Sequence, residues 1–288
     1  MKFSHPEADI FTPDGTPPEQ ALARTTHLSV VAHQDDIECM AHEGIAACYE
    51  RPGRHFTGVV VTNGAGSSRT GRYASFTDAQ MREVRRQEQR RAAEIGKYNL
   101  QVQLAHPSAS VKAAGDAGVA SDLRILFGRT RPEVVYLHNP ADKHDTHVGV
   151  FLRCLEALRS LPPESRPRRV LGCEGWRDLD WLLDADKVVL DAGQRPELAL
   201  PLLAVFDSQI GGGKRYDLAI IGRRAANATM FNPHQTDTLT AATWAMDLTP
   251  LVADEKLSVR DFTQGFIDRL RSDVAARIAA LSHNTQGI

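Results

Sequence analysis

The sequence predicts an α/β fold: a three-layer sandwich on a mostly parallel sheet, with a helical C-terminal part. Three observations carry this. Short apolar runs alternate with stretches of helical period through the first 160 or so of the 288 residues. The runs are continuously apolar, as strands covered on both faces are. Two of them, far apart in the chain, end abruptly in His and Asp side chains, at the strand ends where an open parallel sheet places its ligands.

Taken in order, the first strand opens at Leu28 and runs through Val30-Val31-Ala32 into His33, Asp35, Asp36 and Glu38. A helix over residues 38–49 comes next, with Ala41, Ile45 and Cys48 at helical spacing and Pro52-Gly53 as its stop. Residues 56–62 form a second strand. The glycine-bearing loop 63–68 leaves that strand's carboxyl end and should border the same site. It lacks both the Walker lysine and the GxGxxG spacing, so a phosphate cradle is the weaker reading. Residues 78–95 form a long charged helix capped by Gly96, whose arginines read mostly as a solvated face. A strand over 101–104, a helix over 118–128, a strand over 132–138 and a helix over 148–161 complete a doubly wound, Rossmann-like pattern.

Further strands are expected at 169–172 and 187–190. From Glu197 onward the chain reads as mainly helical, broken by the glycine-rich segment 211–215. The proline-rich segment 1–24 reads as an irregular arm on the body or on a neighbouring subunit. Residues 25–288 read as one domain, a core over 25–195 and a helical elaboration over 196–288.

Composition narrows the function. Hydrophobic residues make up 42% and charged residues 24%, with a formal net charge of −2. No strongly basic face is implied, so nucleic acid is not expected as a partner. Cys39, Cys48, Cys154 and Cys173 are scattered without a CxxC, the pattern of reduced thiols in a cytoplasmic protein. The N-terminal segment has no signal-peptide core, and no run is long enough to span a bilayer.

The two polar strand ends carry the chemistry. The first supplies His33, Asp35 and Asp36; the second supplies His138, Asn139, Asp142, His144, Asp145 and His147. Side by side at a topological switch point, His33, Asp36 and either His144 or His147 make a two-histidine, one-carboxylate site. That donor set suits zinc, and iron, manganese or cobalt are alternatives. Asp35 adjoins a ligand but cannot easily chelate the same ion, so it is placed as a general base. Each residue also has a plainer reading. Asp35-Asp36 could cap a helix, and Glu38 is a first-turn or ligand-orienting residue. His42 and His138 are read as structural.

Ala32-His33-Gln34-Asp35-Asp36-Ile37-Glu38 resembles the AHPDDxE signature of the PIG-L/LmbE family of zinc-dependent N-deacetylases. His144-Asp145-Thr146-His147 with Gly149 beyond resembles its second motif, and Arg85-Arg86-Gln87-Glu88 its R-x-x-E helix. The resemblance implies that His33, Asp36 and His147 are the metal ligands and Asp35 the base. It implies that His144 assists at the oxyanion or leaving group, and that Arg85 reaches the substrate. It further implies an N-acylated small-molecule substrate, mostly an N-acetylglucosamine conjugate, and a homo-oligomer. Departures are Gln34 in place of proline and Asp145-Thr146 in place of Pro-Asp, which puts the support of the catalytic histidine on Asp142 or Asp145.

Beyond Arg169 no motif matches. There Trp176, Arg177, Asp178 and Trp181 could form a sugar platform or a packed contact, and the 211–215 turn could bind an anion or be a simple connector. The expected function is hydrolysis of an N-acyl group, by way of metal-activated water. The alternatives are a non-sugar amide as substrate, or a non-catalytic sugar- or metal-binding member of the same fold. A nucleotide-binding Rossmann protein is discounted, because His-Gln-Asp-Asp stands where a glycine fingerprint would be.

Overall fold

The computed structural model describes residues 2–282. In chain order the elements are β1 (Asp9–Phe11), α1 (Pro18–Ala23), β2 (His27–Val31), α2 (Asp36–Met40), α3 (His42–Cys48), β3 (Phe56–Thr62), α4 (Asp78–Ile95), β4 (Leu100–His106), α5 (Ser108–Lys112), α6 (Ala117–Thr130), β5 (Val134–His138) and α7 (Asp145–Arg159). Beyond these lie β6 (Arg169–Cys173), β7 (Val188–Asp191), α8 (Pro196–Ala204), α9 (Asp207–Ile210), α10 (Tyr216–Met230), β8 (Ala242–Asp247), α11 (Thr249–Ala253) and α12 (Val259–Leu281).

One eight-stranded sheet runs in the order β1-β4-β3-β2-β5-β6-β8-β7. The central strands β4-β3-β2-β5-β6 are parallel, but β1–β4, β6–β8 and β7–β8 pair antiparallel. The sheet is therefore mixed, not mostly parallel as expected. The cause lies outside the strand–helix pattern. β1 is three residues long in the segment read as an irregular arm, which also holds α1. β8 lies in the part read as helical and slides between β6 and β7. It carries Trp244 and Met246 into the core, a burial that its short, mixed sequence does not announce.

Alternate side chains of the central strands feed two apolar layers. Leu28, Val30, Val59, Val102 and Val135 face α6 and α7, and Val31, Val60 and Tyr136 face α2, α3 and α8. Each strand is buried on both sides, hence the unbroken apolar runs. The helix expected over 38–49 is two: Ala41, with φ −112°, breaks it between α2 and α3. α4 spans its expected bounds, opened by a Thr77–Gln80 capping box. α12 lies in the part read as helical; Phe262 and Phe266 pack on the core, while Ile267, Val274, Ile278 and Leu281 are exposed.

Strand order reverses between the parallel neighbours β2 and β5. Their carboxyl ends therefore open into the crevice where ligands of such sheets bind.

Candidate active site

The chain leaves β2 through His33, Gln34 and Asp35 and leaves β5 through residues 139–144. Both turns meet over the β2–β5 boundary. There the Nδ1 of His33 lies 3.2 Å from the Nε2 of His147 and 3.3 Å from the Oδ2 of Asp36; His147 Nε2 is 3.5 Å from that same oxygen. A tetrahedral ion with ligands about 2.0–2.1 Å away separates its donors by about 3.3 Å. The three atoms thus have the spacing of one face of such a tetrahedron, and imidazole with carboxylate is the donor chemistry of a catalytic zinc site.

The wider cluster also holds His138 and His144. His138, fully buried, accepts the Ala32 N–H on Nε2 at 2.9 Å and stacks on His147 with centroids 3.9 Å apart. Its nearer nitrogen is thus engaged in holding the strand end, in keeping with a structural part. His42 is buried too, bonded through Nε2 to the Gln194 carbonyl at 3.0 Å.

Asp142 organises the second loop. Its Oδ2 lies 3.1 Å from His147 Nδ1 and accepts the Trp176 N–H, also at 3.1 Å; its Oδ1 accepts the N–H groups of His144 and Arg177. This contact puts the His147 proton on Nδ1 and turns Nε2 toward His33 and Asp36. Asp142 thus supports His147, whereas the sequence reading gives such support to His144. His144 instead caps α7: its Nδ1 accepts the Thr146 N–H at 3.2 Å, which leaves Nε2 to carry the proton as a donor. Its ring is 4.5 Å from His147 and 5.0 Å from His33.

Charge is partitioned within the cluster. Burial would raise the Asp36 carboxyl, but the rings of His147, His33 and His138 outweigh it and hold it far below the carboxylate range. Asp35 moves the other way. Burial and the neighbouring Asp36 push it up to about 6, against the opposing pull of Arg85. For His147, burial is outweighed by Asp36 and Asp142, and its pKa rises; burial lowers that of His144.

Arg85 is 2% exposed, deep under the site. Its Nη2 lies 3.3 Å from Asp35 Oδ2 and donates to the Gln34 carbonyl; Nη1 reaches Glu88 at 3.6 Å and Ser208 Oγ at 3.4 Å. Glu88 accepts both the N–H and the hydroxyl of Ser208 at 2.6 Å. The R-x-x-E pair therefore ties the loop of Asp35 to α9.

A cavity of about 450 Å³ opens above the cluster. His33, Asp35, Asp36, Arg85 and His144 line its inner end, and the expected glycine loop contributes Gly64 and Gly66. Gly64 has φ +71°, and a Cβ there would sit 2.7 Å from Gln34 Oε1, so the close approach requires glycine. Trp176 lines the cavity, its ring 6.3 Å from His144 and 6.1 Å from Tyr216. Arg177 does not line it: its Nε donates to the Ala141 carbonyl at 2.6 Å, away from the cavity. Of the glycine-rich segment, Lys214 lines the cavity with its ammonium 5.1 Å from the Trp176 ring centroid. Tyr216, Ile220 and Arg223, on α10, complete that wall and carried no sequence signal beyond helical period.

The profile of the PIG-L family, GlcNAc-PI de-N-acetylase, matches residues 28–158. Over these residues the chain is similar to the PIG-L family. His33, Asp35, Asp36, His144, His147 and Arg85 all lie within that stretch. Solved structures with the PIG-L fold include the 4-carboxy-2-hydroxymuconate hydratase of Pseudomonas putida. It has a TM-score of 0.60 and 19% identity, covering 78% of this chain and 96% of its own. The N,N'-diacetylchitobiose deacetylase of Pyrococcus horikoshii gives a TM-score of 0.58 at 15% identity, covering 77% and 83%. A pseudoaglycone deacetylase gives 0.57 at 16%, covering 78% and 97%. Identities this low establish shared fold alone. No curated protein sequence matches the chain.

Proposed function

We propose that this protein is a metal-dependent hydrolase that removes an acyl group, most simply acetyl, from the nitrogen of an amino sugar or similar small polar amide. The observation that carries the reading is the His33–Asp36–His147 donor face at the base of the cavity, with Asp35 beside it and outside it. The PIG-L match and the deacetylases among the structures of like fold support the same reaction class.

His33, Asp36 and His147 would hold the ion, zinc first, with iron, manganese or cobalt as alternatives. Such an ion supplies Lewis acidity, making water ionise near neutral pH and polarising a carbonyl. Asp35, beside the donor face and outside it, accepts the proton of the attacking water and holds it until it passes on. The water oxygen bonds to the amide carbon, and the former carbonyl oxygen takes up the electron pair. His144 donates its Nε2–H to that oxygen. The C–N bond then breaks as the proton held by Asp35 passes to the leaving amine. Arg85 holds the Asp35 carboxylate in place, and Trp176 offers an aromatic face to the rest of the substrate.

A second reading, water addition to an unsaturated acid, is favoured by one feature. Lys214 and Arg223 line the cavity, cations suited to carboxylates, and the hydratase of like fold acts on such a compound by name. One assay separates the two. Protein loaded with each metal is given free, glycosidic, lipid-linked and oligomeric N-acetylglucosamine, and separately 4-carboxy-2-hydroxymuconate. Amine and acetate released by the wild type and not by Asp35→Asn support the hydrolase. Release from no amide, with hydration of the unsaturated acid, replaces it with the second reading.

A further inference from the structure

We propose that Gln89 is a positioning residue that holds Asp35 in the backbone conformation its role requires; this rests on the hydrolase reading above. Asp35 has φ +96°, a left-handed conformation that residues with a Cβ adopt at a cost. That twist lets adjacent carboxylates diverge. Asp36 turns to His33 and His147, and Asp35 turns to Arg85. It also points the Asp35 N–H inward, away from water and from the helix that it precedes. A buried N–H needs an acceptor, and the Oε1 of Gln89 supplies one at 3.3 Å.

Gln89 is built for the task. It is fully buried in α4, one turn beyond Arg85 on the same helix face. Its amide donates to Glu38 Oε1 at 2.9 Å and to Gln101 Oε1 at 3.4 Å, which fixes its orientation and aims its oxygen at Asp35. Tyr98 donates to the same Glu38 oxygen at 2.6 Å, so Gln89 cannot swing away without breaking a buried network. One helix therefore grips Asp35 twice: Arg85 by its carboxylate and Gln89 by its backbone.

The test compares wild type, Gln89→Leu, Gln89→Glu and a control, Asn99→Leu. Asn99 is another buried amide, bonded to the Ala21 carbonyl and away from the site. Turnover on the best amide, zinc content, thermal midpoint and amide hydrogen exchange at Asp35 are read for each. Gln89→Leu is expected to lose kcat by about tenfold to a hundredfold, the effect of a misplaced catalytic group. KM and zinc content stay near wild type, and the Asp35 amide exchanges faster. Gln89→Glu keeps an acceptor for the Asp35 N–H but loses the amide donors to Glu38 and Gln101, so it should lower the midpoint and keep the slow exchange at Asp35; it also serves if Gln89→Leu does not fold, and fast exchange in it would overturn the proposal. Asn99→Leu should lower the midpoint and keep kcat. The proposal is overturned if Gln89→Leu keeps both kcat and slow Asp35 exchange, or loses activity only in step with its midpoint. If wild type hydrolyses no amide, the hydrolase reading fails, and the exchange rates still decide whether Gln89 holds Asp35.

Discussion

At the scale of single residues, the adjacent carboxyls of Asp35 and Asp36 shift in opposite directions because their surroundings differ. Asp36 faces three imidazoles that hold its carboxyl low, while Asp35 is buried beside a carboxylate and an arginine and is pushed up to about 6. Asp35→Asn should keep the bound ion and lose turnover by about a hundredfold to ten-thousandfold. Equal turnover would remove Asp35 from the base role. In the proposed role Asp35 works when ionised, so activity should rise with pH through an acid limb no higher than about 6, since a bound cation opposes the upward shift. A limb above 7 in kcat/KM would point to another group. Asp142→Ala leaves His147 Nδ1 without its acceptor and should weaken metal affinity by about tenfold to a hundredfold, measured by competition with a chelating dye. The proposed ligand residues are legible in sequence as candidates because they stand directly at the strand ends. Asp142 was legible only as a candidate, since which histidine it supports depends on how the loop folds back.

At the scale of elements, α4 does more than cover the sheet. Met81, Arg85, Gln89 and Ala92 share its buried face, so a helix that reads as charged carries two polar residues inward. Sequence showed its bounds and could have offered Gln89 as the position one turn after Arg85, but an isolated glutamine has no pattern to mark it. Glu88 connects this helix to α9. Glu88→Ala removes the acceptor of Ser208 and leaves Asp35 as the one carboxylate facing Arg85. It should destabilise the fold by about 3 kcal/mol, the cost of breaking a buried ion pair. Urea titration would check this, and a change under 1 kcal/mol would show that Ser208 and Arg85 find other partners.

At the scale of the whole molecule, buried histidines link folding to pH. Burial pushes His42 down to about 4, and His27 likewise, so both are neutral in the fold. The unfolded chain binds these protons from about pH 6.5 downward, and the folded chain only near 4. The stability that these two neutral rings supply is therefore full above pH 6.5 and is lost as pH falls from 6.5 through 4. His42 alone accounts for about 3 kcal/mol of that loss. Urea unfolding at pH 7 and pH 5 should show the drop, and His42→Gln should flatten it. An unchanged slope in that variant would assign the acid sensitivity elsewhere.

By itself the sequence determined the alternation of strands with helical stretches from Leu28 to Leu161, though not the break at Ala41 or α5, and the two polar strand ends with the residues they carry. These are local facts, set by apolar periodicity and by the residues at each strand's carboxyl end. Tertiary structure decided the rest. It made the sheet mixed by adding β1 at one edge and slipping β8 between β6 and β7. It gave His147 to Asp142, turned Arg177 away from the cavity, and brought α10 with Tyr216 and Arg223 over a site built almost 200 residues earlier. Such pairings join segments distant in the chain, and their partners are selected by shape and buried hydrogen bonding rather than by spacing along it.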